Sequence, residues 1–234
     1  MEKSIKVGDS PKDEIEIKIV SDFNNYDHSH VYQIFPISEN KGIIGVEDGE
    51  NFAINFKSNL DERYGYALYL DGINAVQSYG IKSLADIPEN QRDEYNRHAK
   101  FIAREKSNSY SHCYDQLNGE NRRFTFTTGK NAGINEVLIN DPSHANRIEI
   151  YFWREERDGD YDDLPIIIEN CNENSKIGAG EATYTKFKEG DDLKFPVFLG
   201  KVMILHQSAS TVNHQGKRII RDFVNDPMDK VPKT

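Results

Sequence analysis

The chain is short of residues that staple a fold or cross a membrane. Two cysteines, Cys113 and Cys171, in 234 residues are too few for a disulfide framework. No run reaches the roughly 18 apolar residues that a membrane-spanning helix needs, so no transmembrane segment is expected. Residues 1–13 mix charges and lack the apolar stretch of a secretory leader. Cations are in deficit, 29 Lys and Arg against 39 Asp and Glu, for a net charge of −10. That balance provides no basic face for a nucleic-acid backbone or an anionic bilayer. Hydrophobic residues reach only 37%, but aromatics reach 11%, with 12 Tyr and 12 Phe. Each large ring buries on the order of 150–250 Å², so few apolar residues can still build an interior.

What the chain has is alternation. Glu14-Ile15-Glu16-Ile17-Lys18-Ile19 puts three isoleucines on one face and charges on the other, a strand with one wet side. Asn51-Phe52-Ala53-Ile54-Asn55-Phe56 repeats the pattern. Residues 31–35 read as a strand ended by Pro36, which cannot donate to a ladder. Asp71-Gly72 between two apolar segments is a hairpin turn, because Gly accepts φ > 0. Residues 99–103, 122–128, 147–153, 165–169, 181–187 and 195–206 supply further strands, rich in β-branched and aromatic types. Residues 83–95 read as a short helix or irregular insertion, with Ser83 and Asp86 spaced as a capping box.

Short strands divided by turns predict an all-β protein, a β-sandwich of jelly-roll type. The predicted organisation is one domain over 14–206, between polar arms at 1–13 and 207–234. Its predicted core is Ile15, Ile17, Ile19, Phe52, Ile54, Phe56, Leu68, Leu70, Phe124, Phe126, Ile148, Ile150, Phe152 and Ile204.

Tyr64-Gly65-Tyr66-Ala67-Leu68-Tyr69-Leu70-Asp71-Gly72-Ile73-Asn74-Ala75-Val76 resembles a strand closing on a Val-Asp-Gly-type hairpin in an uncharacterised bacterial and phage-related jelly-roll β-sandwich family. Arg123-Phe124-Thr125-Phe126-Thr127, Arg147-Ile148-Glu149-Ile150-Tyr151-Phe152 and Ile177-Gly178-Ala179-Gly180-Glu181 resemble its later strands and turn. The likeness spans about residues 64–206, with a charged insertion at 104–122 in place of the family's Gly-Trp. It implies a sandwich fold and brings no catalytic residues. By fold analogy the chain is also similar to single jelly-roll capsid proteins, of the vertex (penton) or minor kind.

The sharpest ligand motif is the acidic loop. Asp158, Asp160 and Asp162 place three carboxylates at i, i+2 and i+4, a spacing that suits calcium, and Glu169 stands where a calcium loop keeps its last ligand. Asp163 at the glycine position and Pro165 speak instead for a solvated turn between strands. His28 and His30 have the i, i+2 spacing of two zinc ligands, without visible partners; like His98, His112, His144, His206 and His214 they read as exposed loop histidines. Cys113, in Ser111-His112-Cys113-Tyr114, lacks a nucleophile motif and reads as a loop residue. Arg97 with Tyr95, and Arg104 with Tyr110, are spaced for stacking on a base or sugar, against the plainer reading of turn tyrosines.

The functional expectation is a non-enzymatic structural subunit of a larger assembly, a viral or phage capsid protein. Its partners would be copies of itself and other capsid subunits, with no cofactor. It would reside in the virion, assembled in host cytoplasm, or otherwise in the cytoplasm. The alternative is a carbohydrate- or ligand-binding sandwich module, calcium-assisted through the acidic loop.

Overall fold

Alternating sequences fold here into strands. The structure is a computed structural model that describes residues 4–8, 10–21, 30–47, 49–75, 83–103, 105–115, 120–126, 144, 146–156, 192–209 and 212. The first seven strands are β1 (Ile5–Val7), β2 (Ile15–Ser21), β3 (Phe35–Ser38), β4 (Lys41–Val46), β5 (Asn51–Ser58), β6 (Tyr64–Leu70) and β7 (Ile73–Asn74). They are followed by β8 (Phe101–Ala103), β9 (Ser107–Tyr110), β10 (His112–Asp115), β11 (Glu120–Thr125), β12 (Arg147–Arg154) and β13 (Val197–Ser208).

Two sheets result. The first runs β1-β2-β5-β11-β10, with β9 also on β5; the second runs β3-β4-β13-β12-β6-β7, with β8 also on β6. Among the described strands all pairings are antiparallel except β4 with β13, which run parallel with Met203 opposite Lys41 and Ser208 opposite Val46. The all-β class and the two-sheet arrangement agree with the sequence reading.

The inner faces meet in one core. Ile15, Ile17, Ile19, Phe52, Ile54 and Phe56 of the first sheet pack with Tyr66, Leu68, Ile148, Ile150, Phe152, Val202 and Ile204 of the second. Phe56 touches Phe152 edge-to-face at 5.5 Å and Tyr66 at 4.7 Å. Every predicted core residue is buried except Leu70, which is partly buried against the same cluster. The Asp71-Gly72 hairpin forms as expected, with φ of +50° and +81° at the two turn positions.

Four local expectations change. Pro36 does not end a strand: β3 runs through it, because β3 is the last strand of its sheet and bulges between Pro36 and Ser38, so the missing donor costs no inner ladder bond. Of the two readings for 83–95, the irregular insertion holds and the short helix does not. Single 3-10 turns occupy Leu84–Asp86, Glu89–Gln91 and Tyr95–Arg97. The Ser83–Asp86 capping box is present, but Ile87 precedes Pro88 and is held extended (φ −104°, ψ 118°), which stops the turn. His112 and Cys113 lie on strand β10, opposite Arg123 and Arg122, and not in a loop.

The fourth change concerns the expected N-terminal arm, which is partly built into the sandwich. Ile5, Lys6 and Val7 pair with Ile17, Glu16 and Ile15, and Ile5 and Val7 are buried. Val7 also lies against Gly200 (φ +140°), where an added Cβ would stand 2.8 Å from its methyl. At the other end β13 continues through Ser208, and Val212 packs with Ile43 and Leu205 on the outer face of the second sheet. Residues 213–234, the predicted strands at 165–169 and 181–187, and Cys171 lie outside the described residues. No helix among the described residues is long and apolar enough to cross a membrane.

Candidate functional site

The second sheet has a second buried side. Along β6 and β12 nearly every residue is buried, because the turns of 83–98 lie over the outer face. Leu84, Ile87 and Tyr95 pack there against Ala67, Tyr69, Tyr151 and Trp153. Trp153 Nε1 donates to the Asp93 carbonyl at 2.9 Å, and its ring meets Tyr95 edge-to-face at 5.5 Å. The Tyr95 hydroxyl hydrogen-bonds to Asp192.

His98 fastens this cover. Its Nε2 lies 2.7 Å from the Arg92 carbonyl, which can only accept, so Nε2 carries the proton. Nδ1 is then free to accept from the Tyr69 hydroxyl at 2.7 Å. Burial holds the imidazole neutral, down to about 4 from an ordinary 6.5, despite the carbonyl contact that favours the charged form.

Beside the cover lies a charged cluster. Glu149 projects from the middle of β12 and is fully buried. His144 Nδ1 donates to its Oε2 at 2.5 Å, and the Lys201 ammonium of β13 stands 2.7 Å from Oε1 as an ion pair. Burial alone would raise this carboxyl; the His144 hydrogen bond and Lys201 outweigh it and hold it at about 2. Burial and the Glu149 charge push the neighbouring Tyr151 hydroxyl well above its usual range. A carboxylate that fixes the imidazole Nδ1–H leaves Nε2 as the basic nitrogen, the first half of a general-base arrangement. Both side chains are buried, however, and the geometry ties the segment at 144 to β12 and β13.

A third feature lies at the flank of the sandwich. Among the described residues β1 is the last strand of the first sheet and β3 of the second, and a cleft of about 770 Å³ opens between them. Its floor includes Ile5, Ile34 and Leu199, and its rim carries Glu14, Ser38, Glu39 and Asn40. Lys6 is paired with Glu14 at 2.8 Å. β1 is three residues long and β3 carries Pro36 and a bulge, so each edge offers only a short stretch for pairing.

Several expected site residues are placed differently. His98 and His144 are buried and hydrogen-bonded, not exposed loop residues. His206 lies on β13, 3.2 Å from the Asp71 carboxylate that also accepts from the Arg147 amide, so it braces the hairpin turn. His30 is exposed and rests edge-to-face on Tyr32 at 5.3 Å. Tyr95 is buried and Arg97 pairs with Glu94, so the two make no stacking platform. Tyr110 packs on Tyr66, Phe101 and Phe56. Asp158, Asp160, Asp162 and Glu169, the proposed calcium loop, lie outside the described residues, as do His28, Arg104 and His214. Among the described residues no three His, Cys, Asp or Glu side chains converge to hold a metal ion. The Glu149 cluster had no sequence signal, because its members come from separate elements. Comparison with protein-family models, curated proteins and solved structures finds no match.

Proposed function

We propose that the chain is a non-enzymatic structural subunit whose sandwich, of jelly-roll type with one parallel pair, packs beside further copies of itself in a larger shell. A viral or phage capsid, with this chain at a vertex or as a minor component, is the assembly that suits it. The observation that supports this reading is the flank cleft. Among the described residues the last strands of both sheets, β1 and β3, border one groove, so each sheet presents an edge at the same place. Edge strands beside a groove are where a sandwich accepts an extended segment from a neighbour, through main-chain hydrogen bonds and side-chain pockets. Light scattering and native mass spectrometry over a range of concentrations test the reading. A defined oligomer, or growth to closed shells, is expected. A monomer at every concentration overturns it.

A further inference from the structure

The flank cleft has a two-tone lining. Its floor is apolar, from Ile5, Ile34 and Leu199, while Glu39 and the Lys6–Glu14 ion pair stand at its rim, with carboxylates in excess. An occupant that matches it is an extended segment combining aliphatic or aromatic side chains with cations. One stretch of the chain has that composition. Lys217-Arg218-Ile219-Ile220-Arg221-Asp222-Phe223-Val224 carries three cations against one carboxylate, in a chain whose net charge is −10. Its four apolar residues suit the floor and its cations suit the rim.

Resting on the assembly reading above, we infer that residues 217–224 of a second copy dock as an extended segment in the cleft between β1 and β3. A neighbour is the better donor than the chain itself. Val212 packs with Ile43 and Leu205 and against Gly45, on the outer face of the second sheet. The cleft instead lies between the sheets, with Asn40 on its rim. The path along β4 from position 45 to 40 is already about 17 Å at about 3.3 Å per residue. The chain must then round the β3 edge. The five residues from 212 to 217 span at most about 17–18 Å fully extended. Lys217 therefore falls short of its own rim, whereas a neighbour's segment has no such tether. Main-chain pairing to a strand edge supplies affinity, and the charges select register and partner.

The test uses the full chain. Reversing the segment's charge (Lys217→Glu, Arg218→Glu, Arg221→Glu) should weaken self-association about tenfold or more, as should Glu39→Lys at the rim. Combining the two reversals should restore most of the loss. Unchanged urea midpoints would show that each variant still folds. In an equal mixture of ¹⁵N-labelled and unlabelled protein, carbodiimide coupling of Lys217 to Glu39 should give cross-linked peptides of mixed label. If the wild-type chain associates but neither reversal alters it, the docking inference falls and the assembly reading stands. Cross-links of a single label only would assign the segment to its own cleft and overturn the second-copy inference. A wild-type monomer removes both.

Discussion

The two sheets treat their outer faces in opposite ways. On the first, β2 over 15–19 and β5 over 54–58 alternate between buried and more exposed residues, with Glu16, Lys18, Asn55 and Lys57 toward water, and only the end at Val20 and Ala53 is buried on both faces. On the second, β6 and β12 are buried along nearly their whole length, with a tryptophan and two tyrosines under the 83–98 cover. The same alternation therefore has two meanings. Glu16 between two isoleucines is a solvated charge paired with Lys18 at 3.0 Å. Glu149 between Ile148 and Ile150 is fully buried and needs the Lys201 ammonium to offset its charge and the His144 N–H to satisfy its second oxygen. What separates them is the second layer, supplied by a distant part of the chain.

The largest effect should come from testing whether that outer layer is a true core. Phe126, stacked on Phe52 at 3.9 Å in the inner core, and Trp153, under the cover, should each cost about 3–5 kcal/mol when cut to Ala. Urea unfolding gives the comparison. A loss below about 1 kcal/mol for Trp153→Ala would show that the cover only shades the sheet, and the contrast between faces would disappear.

Next comes the buried charge. Glu149→Ala leaves the Lys201 ammonium beside a cavity and His144 without its acceptor, and breaking such a pair costs about 3–5 kcal/mol. The pH dependence has a definite sign. The folded carboxyl titrates at about 2 against an ordinary 4.5, so its contribution is complete above pH 4.5 and is lost as pH falls toward 2. Glu149→Gln should flatten the stability curve in that window. A slope equal to the wild type's there would show that other carboxylates carry the acid response.

His98 acts in a separate window. Folding lowers its titration from 6.5 to about 4, so the unfolded chain takes up a proton before the folded one does. Stability should fall as pH drops from 6.5 to 4, by at most about 3.5 kcal/mol, since one pH unit is worth about 1.4 kcal/mol. Below pH 4 this loss is complete. In His98→Phe the slope between pH 6.5 and 4 should shrink while the slope below 4 persists. Loss of both slopes together would mean that the cover and the Glu149 cluster open as one unit.

The contrast between the sheets also explains what the sequence could tell. Strands with one wet face were legible from alternation, as at 14–19 and 51–56, and so was the Asp71-Gly72 turn, whose chemistry is local. The inner core was legible because large apolar side chains at every second position have one place to go. The outer layer was not. Its contacts join Tyr69 to His98, Trp153 to Asp93 and Glu149 to Lys201, pairs set by tertiary packing that no local period encodes. The parallel β4–β13 pairing is non-local in the same way, and it carries Val212 to Ile43 beyond the boundary drawn at 206.

The smallest expected effect lies on the wet face, and it is the control on everything above. Lys18 and Glu16 form a pair at 3.0 Å, with side chains 39% and 22% exposed. Burial would raise the Glu16 carboxyl slightly, but the Lys18 contact wins and leaves it a little below its usual range. Water screens such a pair, and holding a long lysine side chain in one geometry costs entropy, so exposed pairs contribute about 0.2–1 kcal/mol. Lys18→Ala and Glu16→Ala should each shift stability by about 0.5 kcal/mol or less, and added salt should reduce the shift further. The comparable change at Glu149, the same residue type in the same alternation, should be several-fold larger and nearly insensitive to salt. If Glu16→Ala instead cost as much as Glu149→Ala, the outer face of the first sheet would have to be covered as well, and the two sheets would no longer differ.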